Sequence, residues 1–172
     1  MTPVSKTVVR YGLLIVTAAI LQRGLFSQIH IDGAVPDALL VLAVAAGIVG
    51  GTERGATVGF FAGLALDLMI TTPFGLAAIS YLAAGVVAGF LETAIVRSAR
   101  WLTVVIASAS AVVGVLVFSV GGTLLGRSDL LDSRLASVVV VVAVSTAILA
   151  LPAVKACRWA DHDLDQLRPS LR

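Results

Sequence analysis

One cysteine, two histidines and few charges are what this sequence has least of, and each scarcity narrows its chemistry. The lone Cys157 excludes an internal disulfide, and a single thiol makes no metal site. It reads as a small apolar residue near a helix end. The twelve basic residues stand in ones and twos, never in a run or stripe, and the formal net charge is only +2. That pattern excludes a nucleic-acid footprint. Charged residues make up 13% of the chain and aromatics 6%, against about 25% charged in an average soluble domain.

What is abundant is apolar. Hydrophobic residues are 59% of the 172, and the mean hydropathy is +1.05. A soluble protein of this length could not bury so many apolar side chains and still wear a polar coat. The composition is that of an integral membrane protein. Lys6 and Arg10 ahead of an apolar run give residues 1–26 the look of a secretory signal. "QRGLFSQ" follows without a small-x-small cleavage site, so the segment reads as a first membrane helix.

A membrane helix needs about 20 mostly apolar residues to cross a core of roughly 30 Å. Six segments qualify or nearly so, at residues 10–29, 36–51, 54–71, 74–96, 101–126 and 135–157. The second and third are short and Gly-rich, so they either cross or are tilted or partly re-entrant. The run "VVVVVAV" in the sixth favours a strand in water, but lipid admits only helices and closed barrels. Pro152 is expected to bend that helix near its end. The expected fold is therefore all-α, a polytopic bundle of about six spans over residues 1–159. A cytoplasmic tail, 160–172, follows.

With six spans both termini share a side. Lys6, Arg10, Arg54, Arg97, Arg100, Lys155, Arg158, Arg168 and Arg172 lie there, nine against three (Arg23, Arg127 and Arg134) on the other. Positive charge marks the cytoplasmic side. The opposite loops are short, with acids at Asp32, Asp129 and Asp132. The tail "DHDLDQLRPSLR" places His162 between two acids, and reads as solvated, with a weak metal site as the alternative. Trp101 reads as an interfacial anchor and Glu92 as a snorkelling acid near the inner end of the fourth span.

Catalysis needs a nucleophile and base, a carboxylate pair or a metal cluster. His30 and His162 fall on opposite sides of the membrane, so Ser-His work fails. H-E-x-x-H is absent, and so are P-loop and dinucleotide glycine patterns. Asp67 has at best Asp37 as a second carboxylate. No enzyme, cofactor or metal is expected.

What remains is close packing and buried polarity. Gly55, Gly59 and Gly63 recur every fourth residue, a spacing that bares one helix face to another backbone. Gly85 and Gly89 repeat it on the fourth span. These faces either pack the protein's own helices or receive a partner's helix. Asp67 comes next on the same ladder, about 20 Å along the helix from Arg54. Arg23 lies equally far past Arg10 on a span running the same way. "PD" at Pro36-Asp37 is a helix opening, with proline pre-set for the first turn and an acid favoured by the dipole. Arg23, Asp37, Asp67, Thr71, Ser80 and Tyr81 are thus expected to converge in the outer half of the bundle. A lone charge there costs at least about 2.5 kcal/mol, which an Arg23–Asp67 pair would offset, with a protonated Asp67 as the alternative. A structural pair, a partner contact, and a ligand or proton site are the three uses open to Asp67.

The order of these features, "PDALLVLAVAAGIVGGTERGATVGFFAGLALDLMITTPFGLAAISYLAAGVVAGFLE", resembles the MreD family of rod shape-determining membrane proteins. Its elements are Pro36-Asp37 opening a Leu-rich span, the Arg54-Gly55 turn, and Gly55 to Gly63 with Phe60. Asp67, the Pro73-Phe74-Gly75 turn, and Tyr81 with Gly85 complete it. The match covers about a third of the chain; the first, fifth and sixth spans match in length and hydrophobicity alone. The resemblance implies a non-enzymatic scaffold or regulator of lateral wall synthesis in the bacterial cytoplasmic membrane. Its implied partners are MreC directly, with MreB, RodA and a class B penicillin-binding protein in the same complex. It also implies a fold similar to the substrate-binding subunits of energy-coupling-factor vitamin transporters. That similarity supplies the rival expectation, capture of a small molecule from outside.

Overall fold

A computed structural model describes residues 3–24, 35–70, 73–94, 100–126 and 135–165. Thr71, His30, Asp32, Asp129, Asp132 and the stretch 166–172 lie outside the described residues. Among the described residues six helices follow one another: α1 (Pro3–Gly24), α2 (Ala38–Gly50), α3 (Thr52–Asp67), α4 (Leu76–Ala94), α5 (Arg100–Leu124) and α6 (Leu135–Asp165). Among the described residues there is no strand, and the valine run of α6 is helical throughout. Each residue adds 1.5 Å to a helix, so α4, α5 and α6 carry stretches long and apolar enough to cross a membrane. These are Leu76–Ala94, Trp101–Leu124 and Ala136–His162, with α2 a shorter apolar helix.

The shortest helix is the centre. α2, "ALLVLAVAAGIVG", has no polar face, and Leu39 through Ile48 are all buried. A helix apolar all round belongs in an interior, and α2 packs against each of the other five helices. Asp37 caps its start. Gly51 ends it at φ +81°, a left-handed conformation that glycine adopts without the usual Cβ clash. The same residue opens α3, so the break between the two helices falls at Gly51. Thr52 and Glu53, left between the expected spans, lie inside the first turn of α3 together with Arg54.

The glycine ladder of α3 is filled from within. Side chains built on Gly55, Gly59 and Gly63 would run into the backbone of α4 at Gly85, Tyr81 and Ala77, respectively. Gly89 faces Thr52 and Gly51 in the same way, and Gly47 of α2 faces Gly85. α3 and α4 therefore touch backbone to backbone along most of α3. Of the two uses the sequence leaves open for this face, internal packing is the one observed, and no room is left for a partner helix there.

Large apolar side chains point outward. Val8, Leu13 and Ile20 on α1, Phe61 on α3, Ile79 and Phe90 on α4, Leu116 and Leu124 on α5, and Val140 and Ile148 on α6 are all exposed. The interior is mostly small, with Ala43, Ala46, Ala62, Ala84, Ala88 and Ala111 fully enclosed. Small residues within and large apolar ones outside suit a bundle solvated by lipid, whereas an apolar surface this extensive would drive aggregation in water.

Candidate functional site

Two polar clusters occupy opposite ends of the bundle. The first gathers around the start of α2 and the turn between α3 and α4. Asp37 accepts from the amides of Leu39 and Leu40 through Oδ1, at 3.1 Å each. Its Oδ2 accepts from the Tyr81 hydroxyl of α4. Gln22 of α1 clamps the same entry, accepting from the Ala38 amide at 2.8 Å and donating to the Pro36 carbonyl at 3.1 Å. These contacts tie α1, α2 and α4 together at one level.

Asp67 is the last residue of α3 and is only 4% exposed. Its carboxylate accepts from the amides of Gly75 at 3.0 Å, Ala77 at 3.1 Å and Ala78 at 3.2 Å. The first amides of any helix lack intrahelical partners, and their dipoles favour an anion. At the end of α3 an acid faces that helix's own unfavourable carbonyl pole, but the amide pole of α4 outweighs it. Asp67 is thus a cap borrowed from the neighbouring helix. Among the described residues Asp67 takes backbone amides rather than the expected Arg23 cation, and Arg23 donates to the Met69 carbonyl at 3.2 Å. Both residues do lie at the same level, and backbone dipoles supply what a cation was expected to supply. Ser80 is fully buried and donates back to the Leu76 carbonyl at 2.8 Å, apart from the Asp37–Tyr81 contact. Of the six residues expected to converge, Asp37 and Tyr81 meet directly. Asp67 and Arg23 bind neighbouring backbone, and Thr71 lies outside the described residues.

The second cluster lies where the sequence suggests a solvated tail. α6 does not end at Cys157 but runs to Asp165, and Asp161, expected in water, is 1% exposed. Arg54 from the first turn of α3 forms an ion pair with its Oδ2. The Tyr11 hydroxyl of α1 donates to the same oxygen at 3.2 Å. Asp161 Oδ1 is buried without a hydrogen-bond partner. Beside it, Arg10 reaches the carbonyls of Trp159 and Ala160 at 3.4 Å and lies 5.1 Å from the centroid of the Trp159 ring. Cys157 is enclosed one turn before Asp161. His162, by contrast, is exposed. One signal could have located Asp161. The buried positions Val142, Thr146, Ala150, Val154 and Cys157 recur at helical spacing, and continuing that stripe past Trp159 lands on Asp161.

Among the described residues no group of three His, Cys, Asp or Glu side chains is placed to hold a metal ion. Buried Ser110 and Thr146 keep hydroxyls with no partner, on the helices α5 and α6. What the polar groups do is join helices: α1 to α2 to α4 at one end, α1 to α3 to α6 at the other. Comparison of the chain with protein-family models, curated proteins and solved structures returned no match.

Proposed function

We propose that this chain is a six-span scaffold of the bacterial wall-elongation machinery, without catalytic activity of its own. It would hold a single-span MreC-like partner, and through it MreB, RodA and a class B penicillin-binding transpeptidase. Both termini lie in the cytoplasm on this reading, because nine basic residues fall on their side and three on the other. α1, α2 and α3 then cross together with the three long apolar helices.

One observation carries the reading. The stretch that resembles MreD, Pro36 to Glu92, coincides with a single packing unit, α2–α3–α4, and its distinctive residues are the ones that fasten it. Asp37 with Tyr81, Asp67 with the start of α4, and the glycine ladder all act inside that unit. A segment so committed to its own packing leaves the outer apolar faces of α1, α5 and α6 as the surfaces on which partner helices can lie. The partner face therefore moves from the glycines to the periphery.

Detergent co-purification of the tagged protein, with mass spectrometry for proteins and small molecules, tests this directly. A stoichiometric single-span protein with a coiled coil is the expected companion. A stoichiometric vitamin-like metabolite, with no wall-synthesis protein, would replace this reading with that of a transporter's substrate-binding subunit.

A further inference from the structure

The last turns of α6 carry a feature besides helix fastening. Lys155, Arg158, Trp159 and His162 stand at positions i, i+3, i+4 and i+7, which is one face of a helix. All four are exposed, Trp159 at 53%. The one acid within that stretch, Asp161, is turned inward and neutralised by Arg54. The acids Asp163 and Asp165 come only after it, at the end of the helix. Arg10 of α1 adds a further cation against this face, lying over the Trp159 ring and bonded to the α6 carbonyls beneath. A guanidinium over an indole at this separation is attracted to the ring face.

The position along the helix matters as much as the charge. The uncharged run 136–154 of α6 ends at Lys155, so these residues follow directly on it. Where a spanning helix leaves the hydrocarbon, a tryptophan sits at headgroup level and neighbouring Lys and Arg side chains reach the phosphates. We propose that this face, with Lys155, Arg158 and Trp159 from α6 and Arg10 from α1, binds the phosphate of an anionic phospholipid. The cations take the phosphodiester and any acidic headgroup, and the indole packs on the glycerol and upper acyl chain. The inference rests on the membrane-spanning reading and is independent of which protein partner the bundle holds.

The chain has two tryptophans, so Trp101→Phe leaves Trp159 as the sole fluorophore. The full-length variant is placed in phosphatidylcholine vesicles containing a minor fraction of brominated phosphatidylglycerol, or an equal fraction of brominated phosphatidylcholine. Quenching of Trp159 should favour the anionic lipid by about fivefold, the gain of a single basic residue near an anionic surface. Adding Arg10→Gln, Lys155→Gln and Arg158→Gln should remove that preference, and Lys155→Arg with Arg158→Lys should keep it, with helicity by circular dichroism unchanged in both. Equal quenching by the two lipids, or a preference that survives the three glutamine substitutions, overturns the site and leaves the membrane reading standing. Loss of the preference in millimolar inorganic phosphate overturns the lipid as its ligand. No quenching by either lipid overturns both the site and the membrane reading.

Discussion

Asp67 and Asp161 are both acids buried in an apolar bundle, and they are held in opposite ways. Asp67 is satisfied by three backbone amides at the start of α4. Asp161 is satisfied by a cation and a phenol from two other helices, and one of its oxygens has no donor. A helix start is a local, ready-made anion site, so the first arrangement needs no charged partner. The second depends on residues 107 and 150 positions away in the chain. It must therefore fail more sharply when one member is lost.

Removing the cation is the most damaging way to break that comparison. Arg54→Ala strands a buried carboxylate and is expected to cost about 3 kcal/mol or more, read as a lowered thermal midpoint in detergent. Arg54→Ala with Asp161→Ala together should recover some of the loss, since no lone charge is then buried. A midpoint for the single variant close to the parent's would show that Arg54 does not neutralise Asp161.

Next in size is the seam that brings Asp67 to α4. Gly63→Leu must push apart backbones that touch, and overpacking of this kind costs about 1–3 kcal/mol. Gly12→Leu on α1 is its control, because a side chain at Gly12 meets nothing within 4 Å. Equal midpoints for these variants would contradict the packed ladder. Asp67→Ala should cost about 1–2 kcal/mol, as for loss of a helix cap, and Asp67→Asn less, since the amide keeps one accepting oxygen. Hydrogen exchange at Gly75, Ala77 and Ala78 would locate the loss. Faster exchange elsewhere but not there would refute the cap. The smallest effect is Tyr81→Phe, about 1 kcal/mol for a single hydrogen bond, again read from the midpoint.

The same contrast explains what is legible in the sequence. The glycine spacing of α3 announces a close backbone approach, because only bare faces permit one. "PD" announces a helix start, and Asp37 does cap α2. Both signals are local, acting through the residue's own helix. For Asp67 the sequence indicates the level but not the partner. The rule that a buried acid seeks a cation overlooks the free amides eight to eleven residues further on. Gln22 escapes notice because its role exists only once α1 is packed beside the start of α2. Asp161 escapes it because the charges around it imitate a solvated tail. Only its register on the buried stripe of α6 gives it away, and register carries across a charged stretch less visibly than composition does. The six-helix order is legible throughout. The enclosure of α2 is foreshadowed by its lack of any polar face, while its central place emerges only from the packing.

The central claim is that one end of this bundle fastens its acid with backbone and the other with a cation. Paired double-mutant cycles on thermal stability test it most directly, one for Arg23→Gln with Asp67→Asn and one for Arg54→Gln with Asp161→Asn. The account predicts additivity within about 0.5 kcal/mol for the first and coupling well above about 1 kcal/mol for the second. Coupling at Arg23–Asp67 as large as at Arg54–Asp161 would contradict it.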